Sequence, residues 1–122
     1  MTESLVFEKS KAFAVRVVKL YQWLANEKSE YLMSKQCARS GTSIGANLAE
    51  ALRGQSRPDF TSKLQISLKE ANETLYWLEL LKSTDYITAE MYDSINNDCL
   101  ELVKMLTAII VTTKQNDRKN NN

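Results

Sequence analysis

One stretch of the chain has residue types and a spacing that could support chemistry. Residues 41–45 read Gly-Thr-Ser-Ile-Gly and match the G-x-S-x-G pattern of a hydrolase nucleophile elbow. In that motif the Ser lies on a sharp turn between a strand and a helix, and a nearby His accepts its proton. The chain contains no His, and the residues around Ser43 follow a helical pattern. We therefore predict no catalytic residue and no enzymatic activity.

The residues present also argue against metal binding and thiol chemistry. His is the commonest metal ligand, and the carboxylates of Glu50, Glu70 and Glu73 lack the Glu-x-x-His motifs that hold a di-iron centre inside a helical bundle. Cys37 and Cys99 form no C-x-x-C pair, and without an export signal they are most simply buried thiols. We predict no metal, no cofactor and no small-molecule substrate.

The elements that carry these residues are predicted to be helices. The chain has 122 residues but only three Gly and one Pro, which leaves few sharp turns and argues for a single all-α domain. The apolar periodicity predicts four helices, at about residues 4–26, 30–53, 57–82 and 88–114. Short links force neighbouring helices to run antiparallel, which gives an up-down-up-down four-helix bundle. Residues 115–122 contain no apolar side chain and are predicted to form a disordered tail.

Signals at the helix ends support these boundaries. Ser29 is expected to cap the second helix, and Gly54 is expected to end it in the left-handed conformation. Ser56, followed by a Pro in the first turn, is expected to cap the third helix. Thr88 is expected to cap the fourth.

The hydropathy pattern excludes a membrane partner. No apolar run approaches the roughly 20 residues that cross a bilayer, and the N-terminus carries no apolar signal core. A cytoplasmic location is the expectation.

The second predicted helix is expected to be the central packing element. It contains two of the chain's three glycines, and each Gly inside a helix costs about 0.8–1 kcal/mol relative to Ala. Small residues recur at every fourth position from Cys37 to Ala49, so they form a ridge that another helix can approach closely. A polar row runs beside this ridge and consists of Gln36, Ser40, Ser43, Asn47 and Glu50. The predicted helix-packing motif consists of Gly41, Ser43, Gly45, Asn47 and Ala49.

A structural ion pair is predicted from the antiparallel register. The second and third helices turn around near residue 56, so facing residue numbers sum to about 112. This register places Arg39 near Glu73, or near Glu70 one turn away, and it places Glu50 near Lys63. Such a pair fixes helix register more than it adds stability, because desolvation offsets much of the attraction.

The charge is unevenly distributed. Residues 1–58 carry nine Lys/Arg against five Asp/Glu, and residues 59–122 carry seven against ten. The asymmetry could create a basic face or could promote helix pairing. Tyr21, Trp23 and Tyr31 could stack on unpaired bases, although aromatics at these spacings also suit a core or an interface. The candidate nucleic-acid contacts are Arg16, Lys19, Arg53 and Arg57.

The third helix has more apolar surface than one bundle seam requires. Tyr76, Trp77 and Leu81 widen its apolar face, and an exposed patch of this size is usually covered by another molecule. We predict that these three residues form an interface between identical subunits.

Several segments of the chain resemble one protein family. The segments are Arg39–Asn47 with Glu50, Asp59-Phe60, Lys63-Leu64, Lys69–Thr74 and Tyr76–Leu78. Together they are similar to the four-helix-bundle family named for 23S rRNA intervening sequences. The resemblance implies a bacterial cytoplasmic bundle that assembles as a homopentameric ring. A relative, the accessory protein of diversity-generating retroelements, is strongly basic and works with a reverse transcriptase and nucleic acid. The net charge of +1 departs from that relative.

Two functional hypotheses follow. The first is a non-catalytic, self-assembling module that associates with structured RNA or a nucleoprotein. The alternative is a purely protein–protein oligomeric scaffold without nucleic-acid binding. Binding to RNA at low salt would discriminate between them, since phosphate contacts make such binding salt-dependent.

Overall fold

The chain folds into four helices. The computed structural model describes residues 2–54 and 56–120, and within those ranges it contains no strand. The helices are α1 (Thr2–Lys28), α2 (Leu32–Leu52), α3 (Arg57–Ser83) and α4 (Ala89–Asn120). The all-α prediction is confirmed. Across these described residues, no helix offers an apolar stretch long enough to traverse a lipid bilayer.

The helices pack in sequence order, and α4 returns to α1. Contacts between α2 and α3 pair early residues of one helix with late residues of the other: Ser40 Oγ lies 2.7 Å from Thr74 Oγ1, and Ser67 Oγ donates to the Ile44 carbonyl at 2.8 Å. The same reversal holds between α1 and α4, where Lys9 meets Glu101 and the later α1 residue Arg16 meets the earlier α4 residue Asp98. The structure is therefore the up-down-up-down bundle that the sequence predicts.

All four helices contribute to one hydrophobic core. Burying a large aliphatic or aromatic side chain stabilises the folded state by about 1.5–3 kcal/mol. The buried apolar side chains on each helix are therefore the main source of stability of the bundle. The largest fully buried side chains include Phe13, Val17, Leu24, Ile44, Leu48, Leu64, Leu78, Leu102 and Leu106.

The glycines of α2 allow α1 to approach closely. A Cβ added at Gly41 would lie 2.8 Å from Val17 Cγ2, and one added at Gly45 would lie 3.0 Å from Ser10 Oγ. Contacts as short as the first do not occur between real side chains, so Gly41 is required for this helix separation. The two glycines explain why α2 accepts the helix-propensity cost.

The start of α2 differs from the prediction. Ser29 does not cap the helix, because it adopts the left-handed conformation with φ 51°. The carboxylate of Glu30 caps α2 instead: it accepts the N–H groups of Leu32 at 3.0 Å, Met33 at 3.1 Å and Ser34 at 2.7 Å. These are amides at a helix start that have no carbonyl partner within the helix.

The left-handed residue that was expected after α2 is found after α3 instead. Gly54 is not left-handed; its N–H donates to the Ala51 carbonyl at 3.2 Å. The left-handed residue is Asp85, with φ 65°, after α3. The Tyr86 N–H donates to the Leu81 carbonyl at 3.0 Å, and the Asp85 N–H donates to the Lys82 carbonyl at 3.0 Å. This is a Schellman arrangement built on Asp rather than Gly.

The expected caps of α3 and α4 are present. Ser56 Oγ accepts the Asp59 N–H at 3.3 Å, with Pro58 in the first turn of α3. Thr88 Oγ1 accepts the Met91 N–H at 3.1 Å.

The disordered tail predicted for residues 115–122 requires correction. Residues 115–120 continue α4 to Asn120, and residues 121–122 lie outside the described ranges. The segment contains no Gly or Pro to end the helix. Arg118 and Lys119 in the last turn complement the helix dipole, and Asp117 accepts a hydrogen bond from Arg57 Nε at 3.1 Å.

The close contact at Gly41 predicts the effect of adding one methyl group. Gly41→Ala should lower the free energy of unfolding by about 1–3 kcal/mol because its Cβ overpacks against Val17, although Ala is otherwise the better helix former. Urea denaturation measures the loss. Adding Val17→Ala should reduce the cost of the Gly41→Ala step, because the closest contacts of the added Cβ are with the Val17 methyl groups. A Gly41→Ala protein at least as stable as the parent would contradict the close packing.

The Glu30 cap predicts a pH dependence of stability. Burial acts to raise the pKa of Glu30, but the backbone N–H groups that it accepts outweigh burial, and the net pKa is lowered from its ordinary 4.5. A lowered folded-state pKa contributes stability above pH 4.5 that is lost as pH falls through the folded value.

The matching variant is Glu30→Gln, which keeps the side-chain shape but removes the charge. At neutral pH it should lose about 0.5–2 kcal/mol, the usual effect of weakening a cap. Its stability should also fall less than that of the parent on acidification. Equal acid sensitivity of the two proteins in thermal unfolding would show that the carboxylate is not a stabilising anion.

Candidate functional site

The structure brings the three predicted ion-pair residues together on the outer surface between α2 and α3. Arg39 Nη1 donates to Glu70 Oε2 at 3.1 Å, and Arg39 Nη2 donates to Glu73 Oε2. The remaining Arg39 donor, Nε, binds Gln36 Oε1 at 3.2 Å. Trp77 Nε1 also donates to Glu73 Oε2, at 3.1 Å. One guanidinium thus links two carboxylates, and one of those carboxylates orients an indole ring.

The electrostatics of this cluster favour a positioning role. The Arg39 side chain is 49% exposed, whereas that of Glu70 is only 12% exposed. Exposed ion pairs contribute about 0–1 kcal/mol, because water screens them and two long side chains lose freedom. Two carboxylates against one guanidinium leave the cluster with a net negative charge. No group of three potential metal-ligating side chains occurs in the part of the chain that the structure describes.

Two residues of the polar row, Ser43 and Asn47, bond to the backbone of α2 itself. Ser43 Oγ donates to the Arg39 carbonyl at 2.7 Å, and Asn47 Nδ2 donates to the Ser43 carbonyl at 2.8 Å. Ser43 lies in the middle of α2 rather than on a turn after a strand, so residues 41–45 lack the geometry of a nucleophile elbow.

The predicted helix-packing motif therefore divides into two parts. Gly41 and Gly45 meet α1, and Ala49 is half-buried. Ser43 and Asn47 make no hydrogen bond to another helix within the described residues. The hydroxyls that join α2 to α3 belong to Ser40, Ser67 and Thr74, and all three are fully buried. Periodicity placed Ser40 in the polar row of α2 but did not identify Ser67 or Thr74, because a buried hydroxyl and a surface hydroxyl look alike in sequence.

The two cysteines are buried thiols. Burial raises the pKa of each to about 12, with the neighbouring Cys37 adding to the effect at Cys99. In the described chain, no Cα of α2 comes within 8 Å of a Cα of α4, whereas a disulfide requires Cα atoms roughly 4.4–6.8 Å apart. Cys99 Sγ instead donates to the Ala71 carbonyl at 3.4 Å. Neither thiol has the electropositive, accessible surroundings of a reactive cysteine.

Two of the four candidate nucleic-acid contacts form ion pairs with carboxylates of another helix. Arg16 Nη1 binds Asp98 Oδ2 at 2.7 Å, and Arg16 Nη2 binds Ser94 Oγ at 3.0 Å. Arg57 binds Asp117.

The other two candidates are free of such partners. Lys19 and Arg53 are exposed, and no carboxylate of the described residues lies within 4.0 Å of either. The four candidates therefore do not form one equivalent basic set.

The predicted oligomer interface needs one correction. Leu81 is 0% exposed and belongs to the core, because it continues the row of Leu78 on the inner side of α3. Tyr76 is 58% exposed, and its ring contacts Trp77 edge-on with centroids 5.0 Å apart. Sequence reasoning missed Leu32, which is 74% exposed at the start of α2.

The α2–α3 register places these exposed residues on the same side of the bundle. Arg39 faces Glu70 and Glu73, so Leu32, about two turns earlier on α2, faces the turn of α3 that follows Trp77. Leu32, Tyr76 and Trp77 are called the α2–α3 patch below.

Comparisons with known proteins give consistent findings. The profile of a family described as 23S rRNA-intervening sequence protein matches residues 2–108. A crystal structure of a protein with unknown function from the S23 ribosomal protein family of Bacteroides thetaiotaomicron VPI-5482 is 61% identical and has a TM-score of 0.89. That alignment covers 90% of this chain and 98% of the other. No curated protein sequence matches significantly.

The Arg39 cluster predicts a measurable coupling energy. The single variants Arg39→Ala and Glu73→Ala, and the double variant, form a cycle whose interaction term should be about 0.3–1 kcal/mol by urea denaturation. Arg39→Ala combined with Glu101→Ala serves as the control, since Glu101 binds Lys9 on a different seam. Strict additivity in the Arg39/Glu73 cycle would mean that the two residues do not interact.

Proposed function

Because the chain belongs to the 23S rRNA-intervening sequence protein family, we propose that it acts as a non-catalytic helical module that assembles with copies of itself and contacts structured RNA. The family description ties its members to intervening sequences of 23S rRNA. Self-assembly and RNA contact have separate structural support and separate tests.

The α2–α3 patch is the observation that carries self-assembly. Leu32 and Tyr76 are more than half exposed, the Tyr76 ring contacts Trp77, and the α2–α3 register places Leu32 on the same side of the bundle. Soluble monomers rarely leave large contiguous apolar patches open to water, and Tyr and Trp are enriched where proteins meet. The acidic Arg39 cluster adjoins the patch and would supply the polar rim of an interface.

RNA contact is supported by the two candidate contacts that have no carboxylate partner among the described residues, Lys19 and Arg53. A cation that is already paired with a carboxylate adds little to phosphate affinity, because the phosphate only replaces the carboxylate. A cation without a carboxylate partner contributes its full attraction to the phosphate. The net charge of the chain is only +1, so one chain offers weak phosphate binding. Assembly would repeat these two cations around a shared axis and raise avidity.

A non-catalytic role is supported by the chemistry of the described residues. The chain has no His, the hydroxyl of Ser43 is committed to the α2 backbone, and both thiols have a raised pKa.

Disrupting the patch should lower the oligomeric state. Light scattering at micromolar concentration should report an oligomer for the parent, and Leu32→Glu or Tyr76→Glu should shift it toward monomer because a buried, unpaired carboxylate is costly. Leu100→Glu on α4 is the matched control, since Leu100 is also partly exposed but lies on another helix. A parent that is monomeric at these concentrations would reject self-assembly.

Removing the charge of Lys19 or Arg53 should weaken RNA binding. In anisotropy titrations with labelled, structured 23S rRNA fragments at low salt, Lys19→Ala and Arg53→Ala should each lower affinity and reduce the salt slope by about one. Arg57→Ala should have a smaller effect, because its guanidinium is bound to Asp117. Absence of binding would favour the alternative of a protein–protein scaffold.

A further inference from the structure

A cavity opens between α1 and the start of α4, away from the α2–α3 patch. Its volume is about 680 Å³, within the usual range of ligand sites. From α1 it is lined by Arg16, Lys19 and Trp23, and from the start of α4 by Thr88, Glu90 and Met91. It therefore combines an aromatic ring, apolar surface and charged groups in one concave site.

Trp23 is the aromatic wall of this cavity. Its side chain is half-buried, and the Lys28 ammonium lies 5.5 Å from the ring centroid, so a cation already sits beside the ring. The other tryptophan of the chain differs, because Glu73 holds the indole N–H of Trp77. An aromatic side chain in an open cavity is the element on which unpaired bases stack.

The electrostatics of the cavity favour a phosphate at one side. Lys19 has no carboxylate partner among the described residues, whereas Arg16 is neutralised by Asp98. The positive end of α4, capped by Thr88, lies at the same cavity. Glu90 opposes an anion and is the one carboxylate in the described lining.

We propose that this cavity holds one unpaired nucleotide of a bound RNA strand, with the base on Trp23 and a phosphate beside Lys19 at the start of α4. The assignment rests on the proposed RNA contact and specifies where a base is held. An apolar ligand would make no ionic contact with Lys19, and inorganic phosphate would not stack on Trp23. A nucleotide uses both.

The fluorescence of Trp23 tests this placement directly. The chain has two Trp, so Trp77→Phe leaves Trp23 as the sole indole while keeping an aromatic ring in the α2–α3 patch. In this background, a single-stranded oligouridine of about ten nucleotides, within the usual site size of single-strand binders, should quench Trp23 saturably at low salt. The anisotropy of the labelled strand should show the same midpoint. A duplex should quench far less, because its bases are already stacked.

Variants around the cavity should change affinity in opposite directions. Lys19→Ala should weaken single-strand binding, and Glu90→Gln should tighten it because the cavity loses its carboxylate. Lys11→Ala is the matched control, an exposed lysine on α1 outside the cavity lining, and it should leave the affinity unchanged. Trp23→Leu should weaken binding about tenfold through the lost stacking.

The outcomes separate this assignment from the proposed function. If anisotropy shows binding but Trp23 is not quenched, the nucleotide is not held in this cavity and RNA contacts the protein elsewhere. The same conclusion follows if Lys19→Ala and Lys11→Ala reduce the affinity equally. Absence of binding to both oligouridine and structured rRNA fragments would overturn both. Trp23→Leu is checked for folding by circular dichroism. The conclusion does not depend on that variant, because Lys19 and Glu90 are exposed.

Discussion

The separation of α1 and α2 at Gly41 is the constraint on which the bundle depends. Val17 occupies the space where any other residue would place its Cβ, so the two helices can approach this closely only because residue 41 is Gly. Once α1 is placed, Lys9 and Arg16 lie opposite Glu101 and Asp98 of α4. The fourth helix is thereby aligned by long side chains against a helix whose position the glycine has already determined.

Helix α2 meets its two neighbours by different chemistry. Toward α1 it presents bare backbone at Gly41 and Gly45, where close packing supplies the attraction. Toward α3 it presents the buried Ser40 hydroxyl, which bonds to Thr74. A hydrogen bond in a dry core has strict geometry, and an unmade one is costly. The α1 side therefore sets helix separation, and the α3 side sets register.

Most of the fold and part of the candidate site could be predicted from sequence, because they depend on periodicity and short links. One register placed Arg39 near Glu73 and Glu50 near Lys63, and the structure has both pairs, the second at 2.9 Å. That register is knowable because a tight turn joins α2 to α3. The partners of Arg16 were not predictable, since no loop joins α1 to α4 and their register follows from the whole bundle.

The remaining errors have local physical causes. Leu81 was assigned to a surface because a wide apolar stripe does not reveal which flank a neighbouring helix covers. The cap of α2 was assigned to Ser29 because Glu30 lies one residue outside the usual capping position, and its longer side chain reaches the same amides. The end of α4 was placed too early because the apolar pattern stops there, although helix dipole and ion-pair interactions continue.

The ion pairs also show which surfaces remain free to bind. Each one joins two neighbouring helices, so these charges are committed to the bundle despite their exposure. Net charge alone hides this distinction, and a basic residue becomes a candidate contact only after its internal partners are counted. Lys9 and Arg16 of α1 pair with Glu101 and Asp98 of α4 across the seam between these two helices. C-terminal to Arg16 on α1, no ion pair bridges the α1–α4 seam in the described chain, and it is there that the cavity at Trp23 opens.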